Sequence, residues 1–395
     1  MRILLIGEYS NVHWGLSQGL RTLGHDVTVI SDGDLWKNYN RDIDLKRRSL
    51  GKWDTLKYIW RVRRLVPKLK GYDVVQIINP VFLDLKAERI LPYYQQLRRQ
   101  NQSMFLGAFG MDKYWVKVCR DCKTFRYSDF NLGSRERTSP ENEAYIREWL
   151  NGPKGELNDI IAKDCDGIIT GLCEYDMCYQ QYFPGKTRYI PFPIQAGQPE
   201  RLQGFGKQID KELHQNGLQP FAQNDKENME RPIHFFIGIQ KGRSVYKGTD
   251  IMLKALERLK RDYPERVIVE KAESVPFGEY QKMISRSDVL LDQLYSYTPA
   301  MNGLLAMSKG IIVVGGGEEE HYKLLGEDEL RPIINVLPDE ENVYRQMEQV
   351  VLHPERIPEL KRQSIQYIRR HHDCVKVALQ YLDFWNETIR HRTRI

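Results

Sequence analysis

Apolar positions along the chain alternate between short strand-like runs and stretches with helical spacing. The run at residues 3–6 is followed by leucines that recur at helical spacing from Leu16 to Leu23, and a second apolar run at residues 27–30 completes a β-α-β unit. Further strand-like runs, separated by helical stretches, lie at residues 73–78, 103–107 and 167–170. This alternation predicts a mostly parallel sheet within residues 1–194.

The alternation begins again after a polar stretch. Residues 195–231 are rich in Gln, Asn, Lys and Gly, which is typical of a linker or a surface insertion. Beyond them, strand-like runs lie at residues 233–237, 267–269, 289–291 and 311–314. They predict a second α/β domain over residues 232–374, followed by a helix over residues 375–395 that crosses back. Two doubly wound, Rossmann-like domains of this kind face a central cleft, where ligands bind at the carboxyl ends of the strands.

The composition is that of a globular protein with two or three domains. The chain has 395 residues, of which 41% are hydrophobic and 28% are charged. These values exclude collagen-like, low-complexity and wholly disordered chains, and no apolar run approaches the roughly 20 residues needed to cross a bilayer. The apolar start of the chain is too short for a secretory signal, so we expect a cytoplasmic protein.

Cysteines and paired aspartates give only weak metal signals. The six cysteines are too few and too irregularly spaced for a disulfide framework, so we expect reduced thiols. Cys119 and Cys122 have the spacing of a zinc knuckle or a redox pair, but no second pair with matching spacing follows. Three Asp-x-Asp sequences, which can chelate a divalent cation on a diphosphate, start at Asp32, Asp42 and Asp164. So short a pattern occurs by chance in a chain with 53 acidic residues, and we predict no metal.

A strongly basic segment lies at residues 46–70, with ten basic residues and one acidic residue in a chain whose net charge is +6. Helical spacing predicts an apolar face and, opposite it, a basic face formed by Lys57, Arg61, Arg64 and Lys68. Trp53 and Trp60 flank this basic face. The pattern fits a helix packed on the sheet, and it also fits peripheral attachment to the anionic inner face of a membrane. Nucleic acid is not expected, because no aromatic platform or groove-binding helix accompanies the charge.

A glycine-bearing turn with three cations follows the first strand of the second domain. Gly238 begins the turn, and Lys241, Arg243 and Lys247 supply the charges. Glycine permits close backbone approach, Arg243 can bind two phosphate oxygens, and Lys247 adds a point charge that stabilises a leaving diphosphate. The spacing fits a diphosphate site and a solvated basic turn equally well.

Two further motifs resemble those of a known family. Residues 287–292 form an Asp-Val-bearing strand, and residues 306–314 have the sequence Ala-Met-Ser-Lys-Gly-Ile-Ile-Val-Val. Together with Arg243 and the Lys247-Gly248 pair, they resemble the C-terminal, nucleotide-sugar-binding domain of GT-B glycosyltransferases, specifically the retaining family 4, or glycosyl transferases group 1. The first domain is similar to that family at Gly7, Gly15 and residues 23–27, 73–75, 110–112 and 190–194. The resemblance covers nearly the whole chain except the linker.

The resemblance implies a GT-B fold and the transfer of a sugar from a nucleoside-diphosphate sugar, with retention of the anomeric configuration. The chain departs from the family at two positions eight residues apart, where the family has glutamates and this chain has Tyr297 and Leu305. In the family the first glutamate approaches the donor sugar and the second approaches the ribose. Neither role is carried over to this chain.

Seven residues are candidates for binding the donor diphosphate or its sugar. They are Gly238, Thr298, Met301, Asn302, Gly303, Glu318 and Glu319. The amides of residues 301–303 open a helix, whose positive dipole end suits a phosphate, and two of the side chains can add hydrogen bonds. The two glutamates lie in a loop expected to face the cleft and the sugar hydroxyls. The alternative for each group is an ordinary capped or solvated helix start.

Acceptor-side candidates follow strands of the first domain. They are Glu8, Asn11, His13 and Asp112. His13 also fits a surface or internally bonded histidine. Asp112 is assigned only a hydrogen-bonding role, because Phe109 stands where the family often has a histidine.

These observations predict a metal-independent glycosyltransferase of the hexosyltransferase type, with Arg243 and Lys247 as catalytic residues. It would use a nucleotide sugar as co-substrate and no other cofactor, and it would act on a glycan or lipid-linked acceptor in surface polysaccharide biosynthesis. Two alternatives stay open: a nucleotide-sugar epimerase on the same fold, and a non-catalytic sugar-nucleotide-binding protein. A nicotinamide dehydrogenase is less favoured, because Gly7 lacks the rest of a dinucleotide-binding fingerprint.

Overall fold

The computed structural model describes residues 1–195, 231–240, 242, 244–273 and 275–392. The predicted linker at residues 195–231 therefore falls almost wholly outside the described residues. Arg243, one of the two predicted catalytic residues, also lies outside them.

The first part of the chain folds around a parallel sheet. Its strands are β1 (Arg2–Ile6), β2 (Asp26–Ser31), β3 (Ile43–Asp44), β4 (Val74–Ile77), β5 (Met104–Ala108), β6 (Asn131–Leu132), β7 (Arg135–Glu136), β8 (Gly167–Thr170) and β9 (Thr187–Tyr189). Seven of them form one sheet in the order β3-β2-β1-β4-β5-β8-β9, with every neighbouring pair parallel. β6 and β7 form a separate antiparallel hairpin.

Helices cover both faces of this sheet, which explains why its central strands are apolar throughout. They are α1 (Val12–Thr22), α2 (Lys52–Leu65), α3 (Ala87–Gln100), α4 (Lys113–Cys119), α5 (Pro140–Trp149), α6 (Pro153–Asp164) and α7 (Cys173–Gln180), with 3₁₀ turns at Leu35–Lys37 and Val66–Lys68. β1 and β4 illustrate the burial, since Leu4, Leu5 and Val75 are fully buried.

The second part repeats the arrangement. Its strands are β10 (Ile233–Ile239), β11 (Val267–Glu273), β12 (Val289–Leu291), β13 (Ile312–Gly315) and β14 (Ile334–Asn335), in the parallel order β11-β10-β12-β13-β14. Its helices are α8 (Ser244–Lys247), α9 (Thr249–Asp262), α10 (Phe277–Ile284), α11 (Met301–Met307), α12 (Glu319–Leu325), α13 (Glu340–Leu352), α14 (Ile357–Tyr367) and α15 (Cys374–Arg392), with a 3₁₀ turn at Pro354–Arg356 and a π-helical turn at Ile368–His372. Two doubly wound, Rossmann-like sheets are thus present, as the sequence pattern predicts.

The C-terminal helix α15 crosses back onto the first sheet, as expected. The ring of Phe384 makes an edge contact with Phe105 of β5, with ring centres 5.8 Å apart. α15 also begins against α1, where a Cβ on Gly19 would lie 2.0 Å from the Cys374 carbonyl oxygen. Only glycine permits this approach of the two helices, because any other side chain would force them apart.

The two parts of the chain also meet at Ile194. Its amide donates to the His372 carbonyl at 2.6 Å, and its carbonyl accepts from the Cys374 amide at 3.1 Å. The chain therefore leaves the first domain and returns to it at one point, which can act as a hinge.

The basic helix is shorter than the predicted segment of residues 46–70. α2 begins at Lys52 and ends at Leu65, where a 3₁₀ turn containing Pro67 follows. Val66 keeps a helical backbone, but Pro67 has no amide to donate to the carbonyl four residues earlier, so the α-helical hydrogen-bond pattern ends there. Within the described residues, no helix is both long enough and apolar enough to span a membrane.

Candidate functional site

Polar residues collect at the carboxyl edge of the second sheet. Asp292 follows β12, and its amide donates to the Val314 carbonyl at 3.0 Å, which extends the pairing of β12 with β13. Its Oδ1 accepts from Asn302 Nδ2 at 3.4 Å, whereas its buried Oδ2 has no hydrogen-bond partner among the described residues. Burial raises the pKa of Asp292, and the Lys247 ammonium and the Asn302 amide oppose that rise. The Leu294 amide donates to the Lys247 carbonyl at 3.0 Å, which places Lys247 at the same strand end as Asp292 and Asn302. These three residues form one cluster.

Tyr280 of α10 closes one side of this cluster. A Cβ on Gly238, near the end of β10, would lie 2.7 Å from Tyr280 Oη, so glycine allows the ring to pack over the strand end. Burial raises the pKa of Tyr280, the Asp292 carboxylate raises it further, and a hydrogen bond with Asn302 lowers it. The predicted residues Gly238, Lys247 and Asn302 are thus brought together with two residues that the sequence analysis did not single out.

The short helix α8, which ends at Lys247, is held by the first domain. The Tyr246 hydroxyl donates to Asp129 Oδ2 at 2.6 Å, and Arg137 Nη2 donates to the Val245 carbonyl at 3.0 Å. Asp129 and Arg137 flank the β6–β7 hairpin, so this hairpin helps to fix the position of the lysine.

The helix α11 packs tightly against Asp292. A Cβ on Gly303 would lie 3.0 Å from Asp292 Oδ2 and 3.0 Å from Pro299 Cβ, which leaves little room for a larger residue. Met301 is buried and Asn302 is half-buried. No side chain caps the start of α11, where Ala300 is the N-cap residue.

Thr298 does not join this cluster, because it contacts the first domain. Its amide and hydroxyl donate to the Glu174 carboxylate at 3.1 and 2.8 Å, and the Ser296 hydroxyl and the Tyr297 amide donate to the same group at 2.9 and 2.6 Å. Glu174 lies in α7 and is almost wholly buried. Burial raises the pKa of Glu174, and the hydrogen bonds from Thr298 and Ser296 oppose that rise.

Tyr297, which stands where the family has its first glutamate, also contacts the first domain. Its hydroxyl oxygen accepts from the Arg126 amide at 2.7 Å. Its ring packs against Phe125 and Tyr127, with ring centres 5.6 and 5.0 Å away. This position therefore holds the two domains together in the structure.

The predicted donor-sugar residues Glu318 and Glu319 lie apart from the cluster. The Glu318 carboxylate is buried and accepts from Arg126 Nη2 at 2.6 Å and from Asn335 Nδ2 at 3.0 Å. Glu319 is exposed and forms a surface ion pair with Arg331 at 3.0 Å. Glu318 thus contributes to the domain contact, and Glu319 faces solvent.

Glu8 and His13 lie inside the first domain at the carboxyl end of β1. The Glu8 carboxylate accepts from the His13 and Trp14 amides at 3.2 and 2.9 Å, so it satisfies free amides at the start of α1. Burial raises the pKa of Glu8 to about 8. His13 Nδ1 lies 2.8 Å from the Gly7 carbonyl oxygen, and burial lowers its pKa to about 3. His13 is therefore an internally bonded histidine, the alternative that the sequence left open.

Asn11 and Asp112 occupy the starts of two helices. Asn11 is the N-cap residue of α1, is half-buried, and has a left-handed backbone with φ of 74° and no side-chain capping bond. Asp112 is the N-cap residue of α4, where it accepts from the Trp115 amide at 2.9 Å and from the Tyr179 hydroxyl at 2.8 Å. Burial raises the pKa of Asp112 to about 7. Of the four acceptor-side candidates, Asn11 alone is more than marginally exposed.

Asp34 and Tyr39 are additional polar residues at this edge. Asp34 accepts from the Ser10 amide at 2.8 Å and from Lys37 Nζ at 2.6 Å. Burial raises the pKa of Tyr39, and the carboxylates of Asp34 and Glu8, followed by Tyr280 of the second domain, raise it further. The Lys37 ammonium lies 5.9 Å from the centre of the Tyr39 ring, so Asp34, Lys37 and Tyr39 lie together at this edge of the first sheet.

The three Asp-x-Asp sequences are engaged in ordinary ion pairs. Asp34 pairs with Lys37, Asp42 with Arg21, and Asp166 with Arg98. Among the described residues, no group of three or more His, Cys, Asp or Glu side chains is arranged to hold a metal ion. All six cysteines are free thiols, five of them buried.

Four residues of these contacts were not predicted from the sequence, and only one of them carries a signal that could have identified it. Asp292 directly follows a buried strand, so the rule that ligands bind at the carboxyl ends of parallel strands would have identified it. Tyr280, Glu174 and Arg126 carry no such signal, because only the packing of distant segments gives them their partners.

Comparisons with known proteins identify the fold. No protein-family model matches the chain. No curated protein sequence matches it. Solved structures do: the sucrose-phosphate synthase of Thermosynechococcus elongatus has a TM-score of 0.58 at 13% identity, covering 99% of this chain and 100% of that one. Anabaena HepE, solved with UDP and glucose, has a TM-score of 0.56 at 10% identity, covering 98% of this chain and 100% of that one.

A third similar structure is the UDP-GlcNAc 2-epimerase of Neisseria meningitidis bound to UDP-GlcNAc. Its TM-score is 0.53 at 11% identity, and the match covers 98% of this chain and 100% of that one. These similarities span both domains, and they confirm the predicted GT-B fold.

Proposed function

We propose that this chain is a glycosyltransferase that moves a sugar, with retention, from a nucleoside-diphosphate sugar to a glycan or lipid-linked acceptor. The observation that carries the proposal is the position of Lys247 at the carboxyl edge of the second sheet, where its carbonyl accepts from the Leu294 amide at 3.0 Å and its ammonium opposes the rise in the pKa of Asp292 that burial causes. A cation held at this edge of a doubly wound domain, next to a glycine-bearing strand end, suits a diphosphate. The sugar is proposed to be a hexose and the product a surface polysaccharide, as the family resemblance implies.

The similar structures support a nucleotide sugar as the co-substrate. HepE was solved with UDP and glucose, and the Neisseria epimerase with UDP-GlcNAc. For this chain we therefore favour a UDP-sugar donor, bound mainly by the second domain.

In the proposed reaction, the chain stabilises the negative charge that develops on the departing diphosphate. Lys247, together with Arg243 outside the described residues, would supply positive charge, and the first amides of α11 would donate hydrogen bonds. Asp292 would act as a positioning residue, because its carboxylate accepts from Asn302 and the Lys247 ammonium opposes the rise in its pKa that burial causes. No further cation is needed in this scheme, so we propose that transfer does not require a metal ion.

The first domain would bind the acceptor. Asn11 and Tyr39 lie at the carboxyl edge of its sheet and would line the cleft. Glu8, His13 and Asp112 would act indirectly, by fixing the starts of α1 and α4 from inside the domain. Closure of the two domains around both substrates would exclude water from the reacting sugar.

A thermal-shift panel with UDP, GDP, ADP and CMP sugars tests donor binding, because a ligand that binds the native state raises its melting temperature. We expect one nucleotide class to stabilise the wild type but not Lys247→Ala or Arg243→Ala. Lys254→Ala is the matched control, since Lys254 is exposed on α9. The same panel with EDTA should give unchanged shifts. No stabilisation by any sugar nucleotide would contradict the proposal.

The second candidate is a nucleotide-sugar epimerase. It is favoured by the similarity to the Neisseria epimerase, whose TM-score of 0.53 is close to those of the two other structures. The two activities are separated by incubating the stabilising sugar nucleotide with the protein alone. An epimerase would convert the donor sugar without an acceptor, whereas the proposed transferase would release nucleotide in an acceptor-dependent reaction.

A further inference from the structure

The outward side of α2 exposes large apolar side chains. The exposed fractions are 78% for Trp53, 58% for Leu56 and 55% for Trp60. The opposite side of the helix carries its two buried residues, Tyr58 and Val62, so α2 packs against its own domain through that side. The exposed apolar residues are therefore not the face by which the helix packs on the sheet.

These apolar residues form one stripe. At 100° per residue, Leu56, Trp60 and Trp53 fall within a sector of about 60° that points away from Tyr58 and Val62. The expected basic face is thus divided, because the centre of the outward surface is apolar. A scatter of single exposed apolar residues is normal on a protein surface, but a contiguous stripe with two tryptophans indicates an interaction site.

Cations border the stripe on both sides. Lys52 and Arg63 lie at one border, and Lys57 and Arg64 lie at the other, all four with exposed side chains. The Arg64 guanidinium lies over the Trp60 ring, 4.0 Å from its centre. In the part of the chain that the structure describes, none of the four cations forms an ion pair.

We propose that this surface, formed by Trp53, Leu56 and Trp60 with their four bordering cations, binds an anionic lipid bilayer. Tryptophan rings favour the interface between headgroups and acyl chains, and lysine and arginine side chains extend from apolar contacts toward lipid phosphates. An apolar centre with unpaired cations on both borders matches such a membrane surface, in which anionic phosphates lie outside the acyl chains. A protein partner would instead require a complementary acidic rim around an apolar pocket.

The position of α2 gives this contact a consequence for the cleft. The Tyr58 hydroxyl oxygen accepts from the Asp84 amide at 2.9 Å, and Arg47 pairs with Asp84 at 2.9 Å, which ties α2 to the segment after β4. The surface therefore lies beside the carboxyl edge of the first sheet. If the proposed transferase function holds, bilayer binding would bring this edge close to a lipid-linked acceptor.

Vesicle cosedimentation of the full chain tests the proposal without any activity assay. We expect binding to vesicles of phosphatidylglycerol and phosphatidylcholine, and little binding to phosphatidylcholine alone. Brominated lipid should quench tryptophan fluorescence in the bound state. The triple variant Trp53→Ser, Leu56→Ser, Trp60→Ser should bind at least about tenfold more weakly and lose most of that quenching. The variant Lys52→Gln, Lys57→Gln, Arg63→Gln, Arg64→Gln should lose the preference for anionic vesicles.

The matched control is Leu352→Ser, Leu379→Ser, which removes exposed leucines from α13 and α15. It should bind vesicles as the wild type does. Equal vesicle binding by the triple variant, or no binding by the wild type, would overturn the proposal. So would a dimer of the wild type in light scattering that the triple variant abolishes, because the surface would then bind a second copy of the chain. The nucleotide-sugar shifts of the triple variant should equal those of the wild type, so the membrane proposal can fail independently of the donor site.

Discussion

At the residue scale, Lys247 lies near the buried Asp292 carboxylate, at the carboxyl edge of the second sheet. A cation there lowers the energy of a transition state in which the diphosphate gains charge. We predict that Lys247→Ala lowers turnover by at least about tenfold while the melting temperature of the free protein changes little. Initial rates of nucleotide release, with Lys254→Ala as control, measure this. Unchanged turnover would contradict the assigned role.

Asp292 should act through Lys247 and Asn302, and not on the substrate itself. Asp292→Asn keeps the shape of the side chain but removes the charge that faces Lys247, so the lysine would be less well held. We predict a loss in turnover of about three- to tenfold, with a smaller change in the KM for the donor. The pH dependence of the rate should also change, because the burial-raised pKa of Asp292 would no longer contribute. An identical pH profile in the variant would indicate a purely structural role.

The buried carboxyl group of Glu8 makes the stability of the fold depend on pH. Burial raises its pKa from 4.5 to about 8, so the neutral form is favoured in the folded state. The contribution of this neutral carboxyl group to the free energy of unfolding is fully present below its pKa in the unfolded state. It is lost as the pH rises through about 8. We predict that the free energy of unfolding of wild type relative to Glu8→Gln falls by on the order of 3 kcal/mol between pH 5 and pH 8.

Urea unfolding at several pH values measures this difference. Other buried groups titrate in the same range, but they are common to both proteins and cancel in the comparison. Glu88→Gln, on the exposed side of α3, is the control and should show no such dependence. A difference that stays constant or rises with pH would contradict the prediction.

At the element scale, the contact of α1 with the C-terminal helix depends on one glycine. A Cβ at residue 19 would lie 2.0 Å from the Cys374 carbonyl oxygen, and this backbone atom cannot move alone. We predict that Gly19→Ala destabilises the protein by about 2 to 4 kcal/mol and exposes α15 to proteolysis. Gly185→Ala is the control, since no atom lies within 4 Å of the added Cβ. Unchanged thermal stability and unchanged proteolysis in Gly19→Ala would show that the helices can separate without cost.

The main elements could be predicted from the sequence because their signals are local. Buried strands such as β1 and β12 are continuous apolar runs. The apolar stripe of α15 predicts an amphipathic helix that packs on another part of the protein. The hairpin β6–β7 has two residues per strand, too few for a periodicity, and could not be predicted.

The candidate site was predicted less completely than the elements. Lys247 belongs to a motif, Asn302 follows from the expected helix start, and Gly238 follows from the strand end. Thr298 and Glu318 carried similar signals, yet their side chains bind the first domain, because residues far away in sequence supply better partners. Such contacts depend on the packing of the two domains, which no local pattern encodes.

At the scale of the whole molecule, the two domains are joined by polar contacts of unequal strength. Arg126 pairs with Glu318 and Glu320, but its side chain is about half exposed, so water and salt weaken the interaction. Glu174 is buried, and four donors from residues 296–298 converge on it. The Glu174 contact should therefore contribute more than the Arg126 contact to holding the two domains together.

Glu174→Ala would leave the Tyr297 amide and the Thr298 hydroxyl without an acceptor. The Ser296 hydroxyl and the Thr298 amide would keep their second contacts, at 2.6 and 3.3 Å. A buried donor without a partner costs about 1 to 3 kcal/mol. We predict a loss of at least about 3 kcal/mol in the free energy of unfolding and a split of the calorimetric transition into two, since the domains would unfold separately. Arg126→Ala should cost about 1 kcal/mol or less and keep one transition.

Glu156→Ala, an exposed glutamate of α6, is the control and should behave as the wild type. A small-angle scattering measurement adds an independent readout, because domains that separate at the hinge near Ile194 increase the radius of gyration. We expect that increase in Glu174→Ala and a smaller one in Arg126→Ala. If Arg126→Ala opened the molecule more than Glu174→Ala, the surface ion pairs would be the stronger contact. Burial would then be the wrong basis for ranking the contacts that hold the two domains around the cleft.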